Sequence, residues 1–514
     1  MPTNLTEKFA SSIVSVLGCH DRVIFKGYLP FGRDEHLNGW VDGCLKMRRM
    51  DFLPFVEKQS QTLVEHAQDQ AAKAGVPYQR LEGQPRKEEL VQRLLRESSV
   101  KEGLVTVLQV METCRTVKLR HGQGRPRLFF ARRPQRVLYY YFLDPEFGLM
   151  YVRLQTWFPF TIQVYVNGHD WLARQMQRRR LGFVQHDNAF TQLDKPAAAQ
   201  RLAERFPKLR WVKILSRWAR QVNPLLGTSW LGKADYYWVI DQAEYSTDVL
   251  FQNRAKLAEL YPRLLDHALL HFSAQDILTF LGRRLHPRFD GEVLTDCKKD
   301  RLPGARIKHR MKNNWLKMYD KFGQILRIET VINQPREFKV RRCHLRQGRR
   351  QMVWCPMNKG VANFYRYHAV ARAANERYLD ALAVVDLPCA TAKQVDRVSQ
   401  PTKFRQRRRR GLNLLHPNEQ RLFLAVLRGD GRLHGFRNRD LVQDLFGPAA
   451  VPADEKRRRS LRVCRHLQLL RAHGLIAKIP HSNRYHVTAK GEALMGSAVT
   501  LRVEAFPKAL AAVA

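Results

Sequence analysis

Apolar and polar positions along this chain follow two periods, alternation and a recurrence every three to four residues, and the two mark different stretches. Residues 23–29 read as a short strand, and 55–74 carry apolar side chains at helical spacing with polar ones between. From Leu104 the pattern turns to strands. Residues 128–130 and 137–142 are β-rich, 144–148 (Asp-Pro-Glu-Phe-Gly) form a turn, and 149–157 return as a partner strand, so a hairpin is expected here. A further strand over 158–166 leads through Asn167-Gly168 to a helix over 170–179, and helices follow at 196–205 and 211–221.

A second α/β stretch begins near Ala234. It reads as a strand at 236–240, helices at 253–272 and 274–284, and strands at 292–297, 306–319 and 325–332. The second of these strands has an irregularity at Asn313-Asn314, and residues 320–323 make a turn before the third. Residues 358–385 are helical, and 394–411 form a basic linker. The C-terminal part predicts helices at 416–427, 438–446 and 453–473, then strands at 475–479 and 484–488. In the third helix Val463, Leu467 and Leu470 share a face while Arg458, Arg462 and Arg465 point elsewhere. The expected fold class is α+β and multidomain, with central antiparallel sheets, helices, and a C-terminal winged helix. The expected boundaries are 1–103, 104–233, 234–393, a basic linker at 394–412, 413–496, and a tail at 497–514.

Charge changes the picture more than composition does. Among 514 residues, Lys and Arg number 89 against 47 Asp and Glu, a formal charge of +42, while 44% of residues are hydrophobic. Such a chain can fold, and its charge calls for a polyanionic partner, for which nucleic acid is the commonest candidate. DNA is the first expectation and RNA the second. The start lacks a basic cluster followed by an apolar core, and no stretch of about 18 apolar residues occurs, so a cytoplasmic protein of a bacterial nucleoid or RNA-associated kind is expected, with no membrane partner. The eight cysteines lack zinc-finger spacing and read as reduced thiols; Cys343-His344 with Cys355 would give three ligands at most. No phosphate loop of the Walker or dinucleotide type is present.

Three stretches carry candidate chemistry. Aromatic residues between 137 and 166 interleave with Arg153, Gln155 and Gln163, which suits either a stacking platform for single strands or the packed core of a sheet. Arg405, Arg407, Arg408, Arg409 and Arg410 form a run suited to phosphate backbones, as do Arg458, Arg459, Arg462 and Arg465 on the third C-terminal helix and Arg484 after it. In the central strands, alternation places Lys317 and Tyr319 on one face and Arg327 and Glu329 on one face. A tyrosine beside cations can act as a nucleophile, with Lys317, Arg327 and Glu329 as its catalytic neighbours; Glu329, with Asp241, Glu244 and Asp248, could hold Mg²⁺ or Mn²⁺. In the alternative reading the hairpin only binds, with Lys317 and Arg327 on phosphates and Glu329 orienting Arg327.

The stretch Leu469-Leu470-Arg471-Ala472-His473-Gly474-Leu475-Ile476, followed by Arg484-Tyr485-His486-Val487-Thr488-Ala489-Lys490-Gly491, resembles bacterial winged-helix DNA-binding domains. That resemblance implies a third helix in the major groove and a hairpin along the backbone. The stretch Tyr319-Asp320-Lys321 followed by Arg327-Ile328-Glu329 resembles rolling-circle replication initiators, which implies strand nicking. Many of those carry a His-hydrophobic-His metal motif that this chain lacks. The whole chain also resembles a bacterial family of basic proteins, a likeness that implies no activity. The functional expectation is therefore a nucleic-acid-binding protein associated with a mobile element. The alternatives are a strand-nicking or strand-transfer enzyme using Tyr319 and a noncatalytic partner of a structured RNA.

Overall fold

The structure is a computed structural model that describes residues 4–32, 34–83, 86–97, 100–121, 125–232, 234–283, 289, 291–302, 304–346, 349–383, 385, 392–428, 435–447, 452–480 and 482–505. The fold is α+β. Contacts divide the chain into two compact units, one formed by 17–248 and 329–372, the other by 1–16, 249–328 and 373–514.

The first unit is built on a large mixed sheet. Its strands are β1 (Ile13–Tyr28), β2 (Tyr78–Arg80), β3 (Gly103–Arg120), β4 (Arg127–Asp144), β5 (Gly148–Gln155) and β6 (Ile162–Asn167). A small hairpin, β7 (Phe183–His186) with β8 (Ala189–Leu193), stands apart, and β9 (Tyr237–Phe251) completes the set. Neighbours run in the order β9-β1-β6-β5-β4-β3-β2, with β2 parallel to β3 and the ladders β1–β6, β6–β5, β5–β4 and β4–β3 antiparallel. The expected hairpin of 137–157 is the β4–β5 pair, but 128–130 and 137–142 are one strand of 18 residues paired along its length with β3. Along β5 and β6 buried and half-buried residues alternate, the pattern of a sheet with two different faces. One face carries Phe25, Val152, Leu154, Val164 and Val166 into a core closed by the helix Trp211–Val222, whose Trp211 ring lies 4.6 Å from Phe25.

The opposite face decides the aromatic question for most of its rings. Tyr139 and Tyr141 are buried in a cluster with Val91 of the helix Lys87–Glu97. Arg153 is held by Glu112 at 2.7 Å, and Tyr139 Oη donates to the same carboxylate. Gln155 is buried and donates to the Arg115 and Trp157 carbonyls. These residues form a packed layer. Tyr151 and Tyr165, stacked at 5.0 Å, stay half-buried.

The second unit contains β10 (Val293–Leu302), β11 (Gly304–Met311), β12 (Asn314–Lys321) and the first four residues of β13 (Ile325–Ile332), neighbours in that order; the last four residues of β13 belong to the first unit. The single strand expected over 306–319 is two strands, because Lys312 takes a left-handed φ of 54° and Lys312-Asn313 closes a two-residue hairpin. A second tight turn, Phe322-Gly323 with φ of 63° and 76°, joins β12 to β13 where a turn was expected. Inside this unit His309 is buried, its Nε2 2.9 Å from Tyr378 Oη and its Nδ1 2.9 Å from Thr295 Oγ1; burial pushes its pKa down to about 3. It is a packed neutral histidine.

The C-terminal part of this unit shows the expected succession. Helices Pro417–Val426, Asn438–Phe446 and Ala453–Ala472 precede the strands Ile476–Lys478 and Tyr485–Val487, which pair as a hairpin, with Phe436 bridged to Tyr485. Val463, Leu467 and Leu470 are buried together with Leu422, Phe423, Leu441 and Ile476, as their spacing requires. Two expectations change. The stretch read as a linker is a helix, Ala392–Ser399, followed by a small hairpin, Thr402–Phe404 with Arg407–Arg409, turned at Arg405-Gln406 where both φ are positive. The stretch read as a tail continues the helix Ala489–Thr500, which buries Leu494, Met495 and Val499; residues 506–514 lie outside the described residues.

Candidate metal centre and nucleic-acid interface

Three neighbouring strands of the first unit each bring one carboxylate to the same place. Asp21 stands in β1, Glu244 in β9 and Glu329 in β13, and one oxygen of each lies within 4.8 Å of the others. Asp21 is 5% and Glu329 2% exposed, while Glu244 is half-buried. Amides hold two of them: Asn167 Nδ2 donates to Asp21 Oδ1 at 3.2 Å, Asn188 Nδ2 donates to Asp21 Oδ2, and Gln242 Nε2 donates to Glu244 Oε1. Asn167 ends β6 and caps the helix Gly168–Arg178, accepting from the His169 N–H at 2.8 Å, so one residue fixes both the helix start and Asp21.

The next residues complete the surroundings. Gly168 passes so close to β1 that a Cβ there would stand 2.3 Å from the His20 carbonyl oxygen. His169 is fully buried, with Nδ1 3.7 Å from Asp21 Oδ1 and Nε2 3.9 Å from Asp248 Oδ2, and Nδ1 has no hydrogen-bond partner. His20 Nδ1 lies 3.3 Å from the Glu244 carbonyl, and its Nε2 also lacks a partner. Burial, with His368 nearby, holds the His20 pKa well below the usual imidazole range, so this ring is neutral. Arg22 lies with its guanidinium 5.9 Å from the Tyr165 ring. Burial works against its charge, but the Glu244 carboxylate, with Tyr165, Tyr151 and Asp21, more than compensates. Carboxylate oxygens in this number suit a hard divalent cation, which would remove the mutual repulsion of like charges sharing a site.

Of the sequence-predicted metal ligands, Glu244 and Glu329 are in this group. Asp241 is not: its Oδ1 lies 3.8 Å from Lys359 Nζ. Asp248 is buried beside His169, at the imidazole edge away from Asp21. Asp21 is the residue that sequence reasoning missed. Its signal was a lone carboxylate at the end of the buried run Leu17 to Asp21, in the middle of a longer strand than the pattern of 23–29 suggested.

In the second unit Lys317 and Tyr319 share one half-buried face of β12 with Trp315, as alternation requires. Arg327 is fully buried, as is every residue of β13, so it does not offer its charge to a phosphate at the surface. The β12 face continues onto β11. Lys308 stands directly opposite Lys317, and Arg310 opposite Trp315; the Lys308 ammonium lies 4.0 Å from the Trp315 ring. Burial, then Arg310 and Lys317, lowers the Lys308 pKa, and Asp296, opposite it in β10, opposes this.

The predicted arginines divide into committed and open ones. Arg410 pairs with buried Glu419 at 2.6 Å, Arg409 donates to Gln468, Arg459 pairs with Glu455 at 3.0 Å, and Arg484 donates to the Gly435 carbonyl. Arg405, Arg407 and Arg408 on the small hairpin are exposed, as are Arg458, Arg462 and Arg465 on the helix Ala453–Ala472. Cys343 and Cys355 sit on the hairpin Lys339–Arg346 with Arg349–Pro356, each opposite a different residue, and among the described residues neither belongs to a metal-capable group. Set against known proteins, the chain matches no family model, no curated protein and no solved structure.

Proposed function

We propose that this protein binds nucleic acid, using the basic and aromatic face of β11 and β12 for single strands and the C-terminal helices and hairpin, arranged as a winged helix, for duplex DNA. The observation that carries the reading is the juxtaposition of Lys308 and Lys317 directly across the β11–β12 ladder, flanked by Arg310 and Trp315. Cations gathered beside an aromatic ring on one half-buried sheet face suit a polyanion, whose phosphates meet the cations while its bases stack. Trp315 and Tyr319 add rings on which bases of any sequence stack. In the C-terminal part, Arg458, Arg462 and Arg465 project from a helix whose other side is the core, which is how a recognition helix presents cations to a groove. The net charge of +42 supports the same reading.

The test is fluorescence anisotropy with single-stranded DNA, duplex DNA and single-stranded RNA across a salt series. Each phosphate contact contributes about 0.7 to the slope of log affinity against log salt for single strands. Lys308→Ala with Lys317→Ala should therefore weaken single-strand binding and flatten its slope by about 1.4. Arg458→Ala, Arg462→Ala and Arg465→Ala together should act on duplex binding. A flat salt titration, or no binding to any of the three probes at low salt, would overturn the reading.

A further inference from the structure

We infer that Asp21, Glu244 and Glu329 form a divalent-cation site of the Mg²⁺ or Mn²⁺ type, and that an ion held there serves to hydrolyse a phosphodiester bond of a nucleic-acid strand reaching this site. The metal part stands on the geometry of the first unit alone; the choice of substrate rests on the proposed nucleic-acid binding.

Two observations carry the site. The first is that three carboxylates from three adjacent strands present one oxygen each within 4.8 Å of one another, with two of the three residues at most 5% exposed. Carboxylate oxygens this close together suit coordination of one hard cation. The second is His169. It is fully buried, its Nδ1 has no hydrogen-bond partner, and that nitrogen is aimed at Asp21 Oδ1 from 3.7 Å. A buried polar atom left without a partner costs free energy, and here a displacement of under about 1 Å by the carboxylate would supply one. His169 is thus a positioning residue for Asp21, and Asn167, which holds the other side of the pair through Asp21 Oδ1 and the His169 N–H, is a second. The all-oxygen ligand set favours Mg²⁺ or Mn²⁺ over zinc or copper, which prefer nitrogen and sulfur.

The reaction balances without any redox partner. A water on the ion gives a proton to bulk solvent, the resulting hydroxide attacks phosphorus, and the bond from phosphorus to the 3′ oxygen breaks. That oxygen takes a proton from water, leaving a 5′-phosphate and a 3′-hydroxyl. Arg22, whose guanidinium faces the Tyr165 ring near Glu244, is the cation placed to hold the strand beside the site.

The full-length protein, stripped of metal with EDTA, is titrated with Mn²⁺ and followed by electron paramagnetic resonance. One saturable Mn²⁺ per chain, displaced by Mg²⁺ and weakened at least tenfold in Asp21→Asn and in Glu244→Gln, is the expected result. The half-buried position of Glu244 keeps its variant informative if the buried one misfolds. His169→Gln should weaken Mn²⁺ less than either carboxylate variant. Failure of wild-type protein to bind Mn²⁺ above the background of a protein of similar charge, or unchanged affinity in both carboxylate variants, would overturn the site. Cleavage is read on end-labelled single-stranded and supercoiled DNA and on RNA. Products with a 5′-phosphate that require Mn²⁺ or Mg²⁺ and fall at least 100-fold in Glu244→Gln support the activity. Metal binding with no cleavage of any probe overturns the activity but not the site, and a covalent tyrosine adduct overturns hydrolysis in favour of Tyr319 as nucleophile. Anisotropy in EDTA reports binding separately, so a failure of the nucleic-acid reading is seen independently of the metal.

Discussion

Gly168→Ala perturbs the place where β6 gives way to the helix carrying His169, and the structure fixes the sign of its effect. A Cβ at 168 would meet the His20 carbonyl oxygen at 2.3 Å, its carbon at 2.9 Å and the His20 Cβ at 3.0 Å. Carbon and oxygen make comfortable contact from about 3.3 Å, so the strand and the helix start would have to part by about 1 Å. The two closest atoms are backbone, and no rotamer change relieves the clash. Overpacking of this kind costs about 1–3 kcal/mol. Against it stands the gain in helix propensity from Gly to Ala, at most about 1 kcal/mol and less at the first helical position. A net loss of about 1–2 kcal/mol is expected. Because Asn167 and His169 flank the displaced residue, Mn²⁺ affinity should fall about tenfold as well, the equivalent of about 1.4 kcal/mol. Urea denaturation followed by circular dichroism gives the first number and the Mn²⁺ titration the second. The control is Gly39→Ala, where nothing lies within 4 Å of the added carbon and stability should be unchanged or slightly higher. A Gly168→Ala protein as stable as wild type, with undiminished Mn²⁺ affinity, would refute the argument that this glycine lets the helix start approach β1.

Two further perturbations test the second unit. Burial raises the Asp320 pKa to about 6, although the Gly323 N–H and Arg254 favour its charged form, so the folded protein holds this proton between about pH 4 and 6 where the unfolded chain has released it; stability is lost as pH rises through that window. Asp320→Asn should therefore raise the thermal midpoint relative to wild type at pH 7 and leave it equal at pH 4, and a pH-independent difference would contradict this. Leu467, 2% exposed in the C-terminal core, should cost about 2–5 kcal/mol as Leu467→Ala, measured as early loss of helical signal on heating, whereas a loss under about 1 kcal/mol would mean that this helix does not depend on its apolar face.

Local features of this fold were readable from the chain and non-local ones were not. The helix Ala453–Ala472 announces itself through Val463, Leu467 and Leu470, and the strand Ile325–Ile332 through β-branched and aliphatic residues following the turn at 320–323. The hairpin at Lys312-Asn313 left only an irregularity in a continuous β pattern, because a lysine in the left-handed region is chosen by the ladder around it and has no composition signal of its own. The basic run at 405–410 looked like a solvated linker since charge alone does not show that Phe404 pairs with Arg407 in a hairpin or that Arg409 bonds Gln468. For the site, Glu244 and Glu329 could be nominated as carboxylates beside strands, but which of Asp21, Asp241 and Asp248 joins them depends on strand order. That order is set by pairings between segments far apart in the sequence, which hydrophobic periodicity does not encode.

All eight residues of β13 are buried, and they include an arginine, a glutamate and a threonine. Withdrawing an ion from water costs several kcal/mol, and a well-packed aliphatic strand at the same place would commonly be the more stable choice. Position 329 therefore sits where endurance and chemistry compete for one side chain. Lineages or laboratory selections that reward only resistance to heat would drift toward isoleucine or leucine there, gaining robustness while silently shedding whatever the carboxylate performs.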